Sequence, residues 1–158
     1  MVDFPRLLKV LNSAHVKFII VGGAAAIAHG SASLTQDLDI VYSRDSDNIK
    51  KLVQALSPYN PYLRGAPVGL PFRFDEQTVK AGLNFTLVTD LGDIDLLGEI
   101  TGGGGYEQLK KNSIEISLFG LSNIVIDLPA LIRAKRAAGR PKDLETIAEL
   151  ELLLIERS

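Results

Sequence analysis

Two short strings, Gly22-Gly23 and Asp37-Leu38-Asp39, separated by one short helix's worth of chain, constrain this sequence more than any other feature. Val16-Lys17-Phe18-Ile19-Ile20-Val21 is a β-branched and aromatic run that reads as a buried strand. The glycine pair stops that strand, and Ala24 to Ala28 reads as a helix of small residues able to pack closely on a sheet. A strand that ends in two glycines and opens a helix aims backbone N–H groups, and the positive end of the helix dipole, at the space beyond it. Such a turn suits phosphate, and glycine leaves the backbone open to close approach. Gly30 to Gln36 is a polar loop, after which Asp37 to Tyr42 alternates acid and apolar residues as a second strand. In a strand, residues i and i+2 share a face, about 6.5–7 Å apart. Asp37 and Asp39 therefore stand side by side, with Leu38 and Ile40 turned to the core. Two neighbouring carboxylates repel unless a cation lies between them or one takes up a proton. Magnesium held by such a pair neutralises the phosphates of a substrate.

The rest of the chain supplies a frame for these strings. Leu7, Leu8, Val10 and Leu11 mark a short opening helix, and Ile49, Leu52, Val53 and Leu56 an amphipathic helix over 45–56. Pro58 to Pro71 is rich in proline and glycine and reads as a long loop, a lid or substrate-contacting segment. Strands are predicted at 84–89, 93–97, 114–119 and 123–126, with Gly102 to Gly105 as a flexible connection that lacks the Lys-Ser/Thr of a P-loop. Helices over 129–138 and 141–156 close the chain, each with proline in its first turn, and Gly139 suits the C-cap of the first. This order predicts an α+β (α/β-like) single domain of 158 residues, with the sheet core in 1–127 and a C-terminal helical hairpin in 128–158.

Composition removes several chemistries. With no cysteine, thiol catalysis, disulfides and cysteine-based zinc sites are excluded, and two histidines cannot build a histidine-rich metal site. Any metal must be oxygen-ligated, which favours Mg2+ or Mn2+. A formal net charge of −2 gives no global basic footprint for nucleic acid, although a local patch is compatible with it. The N-terminus carries no basic region followed by an apolar run, and no stretch reaches membrane-spanning length, so the expected location is the cytoplasm, with no membrane contact.

The segment FIIVGGAAAIAHGSASLTQDLDIVYS resembles the signature of minimal nucleotidyltransferases of the polymerase-β superfamily: strand, Gly-Gly turn, helix, then Asp-x-Asp on the next strand. The resemblance implies a nucleotidyltransferase fold and a third acid on a later strand, matched here by Asp95 in IDLLG. It further implies that Asp37, Asp39 and Asp95 form the catalytic, metal-binding triad, and that the Gly22-Gly23 turn positions a nucleoside triphosphate. Asp95 would complete a second metal position or act as general base. The string LPALIRAKRAAGRPKDLETIAELE is similar to the tail of small bacterial members allied to the AbiEii-type toxin group. That likeness makes Lys135 and Arg140 candidates to reach phosphate or an RNA partner, and it raises a toxin–antitoxin context. Many relatives carry arginine two residues before the threonine of the Thr-x-Asp-x-Asp string, where this chain has Ser33. The activity implied is transfer of a nucleoside monophosphate from a triphosphate to a hydroxyl of RNA, protein or a small molecule.

Plainer readings stand beside these. Thr35 could orient Asp37 or a bound phosphate, or simply bond its own backbone in a turn. His29 could touch a base or phosphate, or cap carbonyls at a helix end. Asp93 reads as a solvated turn residue, and Arg136 as a cation complementing a helix dipole. Ser33 favours the rival of a non-catalytic nucleotide-binding or antitoxin-like module, which the intact acid triad opposes. A dinucleotide-binding oxidoreductase is excluded by the lack of a G-x-G-x-x-G string. Finally, Leu152-Leu153-Leu154-Ile155 points in every direction around a helix, so a homodimer through the C-terminal helix is an alternative to burial within the chain.

Overall fold

The computed structural model describes residues 2–32 and 34–157. Helix α1 (Phe4–Ser13) starts where the Asp3 carboxylate accepts a hydrogen bond from the Arg6 N–H, and it buries Leu7, Leu8 and Leu11 at helical spacing. Strand β1 (Phe18–Val21) is buried along its whole length and runs directly into α2 (Gly22–Ala28), so the glycine pair opens the helix rather than preceding it. Strand β2 (Asp37–Tyr42) and helix α3 (Ser46–Leu56) follow as expected. Buried Asn48 ties them together, accepting from Lys17 N–H and donating to the Lys17 and Ser43 carbonyls. The chain continues through β3 (Tyr62–Leu63), α4 (Glu76–Ala81), β4 (Phe85–Thr89), β5 (Gly92–Leu97), β6 (Glu99–Ile100), β7 (Gly104–Gly105) and α5 (Tyr106–Lys110). It ends with β8 (Ser113–Leu118), β9 (Leu121–Ile126), α6 (Leu128–Ala138) and α7 (Leu144–Glu156).

Seven strands form one mixed sheet in the order β3-β4-β5-β2-β1-β9-β8, while β6 and β7 make a separate two-stranded ribbon. The β1–β9 and β2–β5 pairs are parallel, and the remaining pairs antiparallel. This is the α+β arrangement expected, a mixed sheet with flanking helices. Three details depart from the sequence reading. The loop between Pro58 and Pro71 contains β3, which pairs with β4 and forms one edge of the sheet. The turn of α4 and the turn of α5 carry too few residues to show a period, and neither is foreseen. Part of the glycine run is not a free connection, because Gly104 and Gly105 pair with Ile100 and Glu99.

The closing helices are set by their caps. Asp127 accepts from the Ala130 N–H at the start of α6, and Gly139 ends that helix with a φ of 66°. A single 3-10 turn over Pro141–Asp143 leads into α7. On α7, Leu150 is buried and Leu153 and Leu154 pack partly against the core, whereas Leu144, Leu152 and Ile155 are exposed. Among the described residues, no helix is long and apolar enough to cross a membrane.

Candidate active site

The parallel pairing of β2 and β5 builds the site. Its register sets Asp37 beside Asp93 and Asp39 beside Asp95. Registered neighbours on adjacent strands point to the same face, so the four acids form a two-by-two patch. The alternate residues Leu38, Ile40, Ile94 and Leu96 are completely buried on the other face. A slip of one residue would drive the acids into the core, and the apolar set therefore locks the acidic one in place. Carboxylate oxygens from Asp37, Asp39 and Asp95 lie within 4.8 Å of one another. This brings the three expected acids together, and Asp93 is a strand residue rather than part of a turn.

The glycine pair makes room for the patch. Gly22 has a φ of +63°, and a Cβ there would collide with Oδ2 of Asp39. A Cβ on Gly23 would come within 2.8 Å of Oγ1 of Thr35. The Thr35 hydroxyl reaches the Asp37 carbonyl at 3.1 Å and its carboxylate at 3.3 Å, so Thr35 is placed to steer Asp37. Ser33 lies outside the described residues.

The electrostatics are those of a cation site. Burial pushes the Asp39 carboxyl up to about 8, helped by the charges of Asp37 and Asp95 and by contact with Asp95, while Lys135 opposes the shift. Burial also raises Asp95, with Asp37 adding to it and Arg64 opposing. Among the described residues, Oδ1 of Asp39 and Oδ1 of Asp95 are enclosed without an aligned hydrogen-bond donor, although the Arg64 guanidinium stands 2.8 Å from the latter. Buried oxygens left unsatisfied cost free energy, and a divalent cation with oxygen ligands would complete both. The donor set therefore fits magnesium or manganese.

Proton linkage gives this a testable sign. The unfolded chain releases the Asp39 proton near 3.8, whereas the folded chain holds it to about 8. Without metal, stability is therefore expected to fall as pH rises through that window. Saturating Mg2+ should raise the melting temperature by an increment that grows with pH across the same window. Melts with EDTA and with Mg2+ check this, and the Asp39→Asn variant should flatten both trends.

Lys135 approaches from α6 and Arg140 from the turn that follows it. With Gly22, Asp39, Asp95 and Asn84 they line one cleft of about 350 Å³ between the sheet and α6. Buried Asp143 holds both cations, with Lys135 Nζ at 3.6 Å and Arg140 Nε at 2.8 Å. Burial alone would raise the Asp143 carboxyl, but the Arg140 hydrogen bond and the Lys135 charge keep it below its ordinary value. Arg136 instead pairs with Glu151 on α7. His29 does not join the site. It is buried, its Nε2 bonding the Ile126 carbonyl at 2.7 Å while Arg157 meets Nδ1.

Sequence reasoning missed Arg64, which follows β3 and lies across the acidic patch. Its guanidinium stands 2.8 Å from Asp95, 3.1 Å from Asp93 and 3.6 Å from Asp37. A signal was present, since Arg64 is the one charged residue between Pro58 and Pro71.

No family profile matches the chain, and no curated protein matches it. Solved structures do. One is TM1012 of Thermotoga maritima, assigned as a nucleotidyltransferase, at 16% identity and a TM-score of 0.55 over 94% of each chain. Another is the lincosamide antibiotic adenylyltransferase LnuA with lincomycin bound, at 15% identity and a TM-score of 0.65 over 96% of each chain. At such identities the likeness establishes the fold, and the fold is that of nucleotidyltransferases.

Proposed function

We propose that this chain is a metal-dependent nucleotidyltransferase, moving a nucleoside monophosphate from a triphosphate to an acceptor hydroxyl with release of pyrophosphate. The observation that carries the reading is the convergence of Asp37, Asp39 and Asp95 within 4.8 Å, at a cleft whose other wall presents Lys135 and Arg140. Asp37, Asp39 and Asp95 would hold Mg2+ or Mn2+, which when bound supplies charge neutralisation for the phosphates and the leaving pyrophosphate. Lys135 and Arg140 would meet phosphate oxygens, and Asp143 pairs with both side chains. The Gly22 backbone forms the floor beside Asp39. Asp95 would take the proton of the acceptor hydroxyl or complete a second metal position. Rate enhancement in such a site comes from positioning and electrostatics rather than a covalent intermediate.

The acceptor classes are RNA, protein and small hydroxylated molecules, the last prompted by the lincomycin-bound adenylyltransferase. A toxin–antitoxin setting and kinship with the AbiEii-type group belong to the same proposal. So does self-association through α7, for which the exposed Leu144, Leu152 and Ile155 would be the contact. A second reading, a nucleotide-binding module without turnover, is favoured by Arg64 occupying the acidic patch.

Labelled ATP, GTP, CTP and UTP, supplied with Mg2+ and cellular RNA, protein or a small-molecule extract, separate the two. Transfer of label that is lost in Asp95→Asn supports the enzyme. Tight metal–triphosphate binding with no transfer to any acceptor supports the module.

A further inference from the structure

We propose that Arg64 is a resident counter-cation that holds the carboxylates of the acidic patch together before metal arrives. On metal loading it gives up Asp37 and Asp95 and stays on Asp93. This rests on the proposed metal site and concerns how that site is kept and filled.

The geometry points to it from three sides. First, the pairing places Arg64 in a row across the sheet. Its N–H bonds the Thr86 carbonyl at 3.0 Å, Thr86 is registered with Asp95, and Asp95 with Asp39. A side chain from the edge of the sheet must cross a whole strand to reach the acids, a span of roughly 9–10 Å from two strand spacings. Arginine is long enough to make that crossing, and the small Thr86 leaves its path open. Second, one guanidinium is shared among three carboxylates on two strands, so it supplies there half of the charge a divalent ion would bring. Third, the replacement is incomplete. Among the described residues, Arg64 Nε and Asp95 Oδ1 are enclosed and stand within ion-pair distance of partners, yet neither is aligned for a hydrogen bond, and Asp39 makes no ion pair. One positive charge offsets only part of the charge of three carboxylates, and hydrogen-bonding capacity is left over, so a divalent ion is the better ligand and can displace the arginine.

Asp93 gains a role on this account. It is outside the trio that converges on one point, yet it contacts Arg64 at 3.1 Å. It therefore offers a parking place that keeps the arginine beside the loaded site instead of releasing it to solvent. The Arg64 NH2 group also donates to the Leu87 carbonyl, which limits how far the head group can travel.

The test is metal binding without nucleotide. A competitor that leaves the site open about a tenth of the time weakens apparent affinity about tenfold. Calorimetry with Mn2+ should therefore show Arg64→Gln binding about tenfold tighter than wild type, with Arg64→Lys in between. In EDTA, Arg64→Gln should melt lower than wild type, and with saturating Mn2+ the gap should close. In the wild type, Mg2+ should shift the Arg64 Nη–H resonances, the groups that face Asp37 and Asp95, a response absent in Asp37→Ala. The proposal is overturned if Arg64→Gln binds Mn2+ equally or more weakly, or if saturating Mg2+ leaves the Arg64 resonances unmoved. Should neither wild type nor Arg64→Gln bind Mn2+ or Mg2+, the metal site itself falls, and the counter-cation role with it. That outcome is distinct from normal metal binding indifferent to Arg64.

Discussion

Asp39→Asn is expected to abolish metal-supported triphosphate binding and nucleotidyl transfer while leaving the metal-free protein as stable as wild type, or more so, at neutral pH. The two effects have one cause. Asp39 carries the site's most strongly raised carboxyl, with an enclosed oxygen that no donor among the described residues meets and two acids crowding it. At neutral pH the folded metal-free protein must keep this carboxyl protonated at a cost in free energy, and an amide of the same shape removes that cost together with one of the three oxygen ligands. Losing metal charge stabilisation of several kcal/mol in the transition state corresponds to about three orders of magnitude in rate. Calorimetry with Mg2+ and triphosphate, label transfer, and melts in EDTA measure the two sides. A variant that still binds and turns over would remove Asp39 from the site. A large drop in metal-free stability would show that the carboxylate serves the fold instead.

Gly22→Ala should be almost as damaging, for a reason that can be divided in two. A left-handed residue other than glycine costs roughly 1–2 kcal/mol by itself. The new Cβ also meets the Asp39 carboxylate, and because Gly22 follows the buried strand β1 the backbone has little freedom to retreat. We expect a lower melting temperature together with loss of metal binding, since Asp39 must move off the patch. Combining Gly22→Ala with Asp39→Ala separates the parts. The backbone cost should persist and the collision should vanish, so the double variant should be more stable than the two single losses add up to. Strict additivity of the two losses would mean that the collision carries no weight.

These expectations rest on a site that was legible in part. Asp37 and Asp39 could be read because a strand's period of two is visible within three residues, and the buried alternates confirm the phase. Asp95 needed the family resemblance. Nothing local says that β5 lies parallel to β2 in the register that pairs it with Asp39, because strands distant in sequence become neighbours only through the whole sheet. The sequence suggests that Gly22 and Gly23 make a turn that meets phosphate, but the tight contact that requires glycine is with Asp39 and Thr35. Sequence shows that a side chain is missing without showing what fills the space. The family resemblance points to Lys135 and Arg140 but not to their shared anchor Asp143, because its burial depends on how the α6–α7 junction folds back. Arg64 was overlooked inside a stretch read as a loop, since a two-residue strand is too short to display a period.

The place of β1 in the sheet has a consequence for synthesis. This wholly apolar strand lies between β2, which follows it within a few turns of chain, and β9, whose Val125 pairs with Ile20. When a ribosome has produced β1, α2 and β2, one edge of Phe18-Ile19-Ile20-Val21 is already covered. The other waits for about eighty further residues to emerge, several seconds at ordinary rates of elongation. Through that interval the growing chain presents an uncovered, β-prone edge of the kind that recruits other strands. Chains ending before Leu121 should therefore accumulate on chaperones or aggregate, even though the Gly22-Gly23 and Asp37-Leu38-Asp39 strings are complete in them. The last strand to join β1 closes the centre of the sheet, and cooperative folding waits for it.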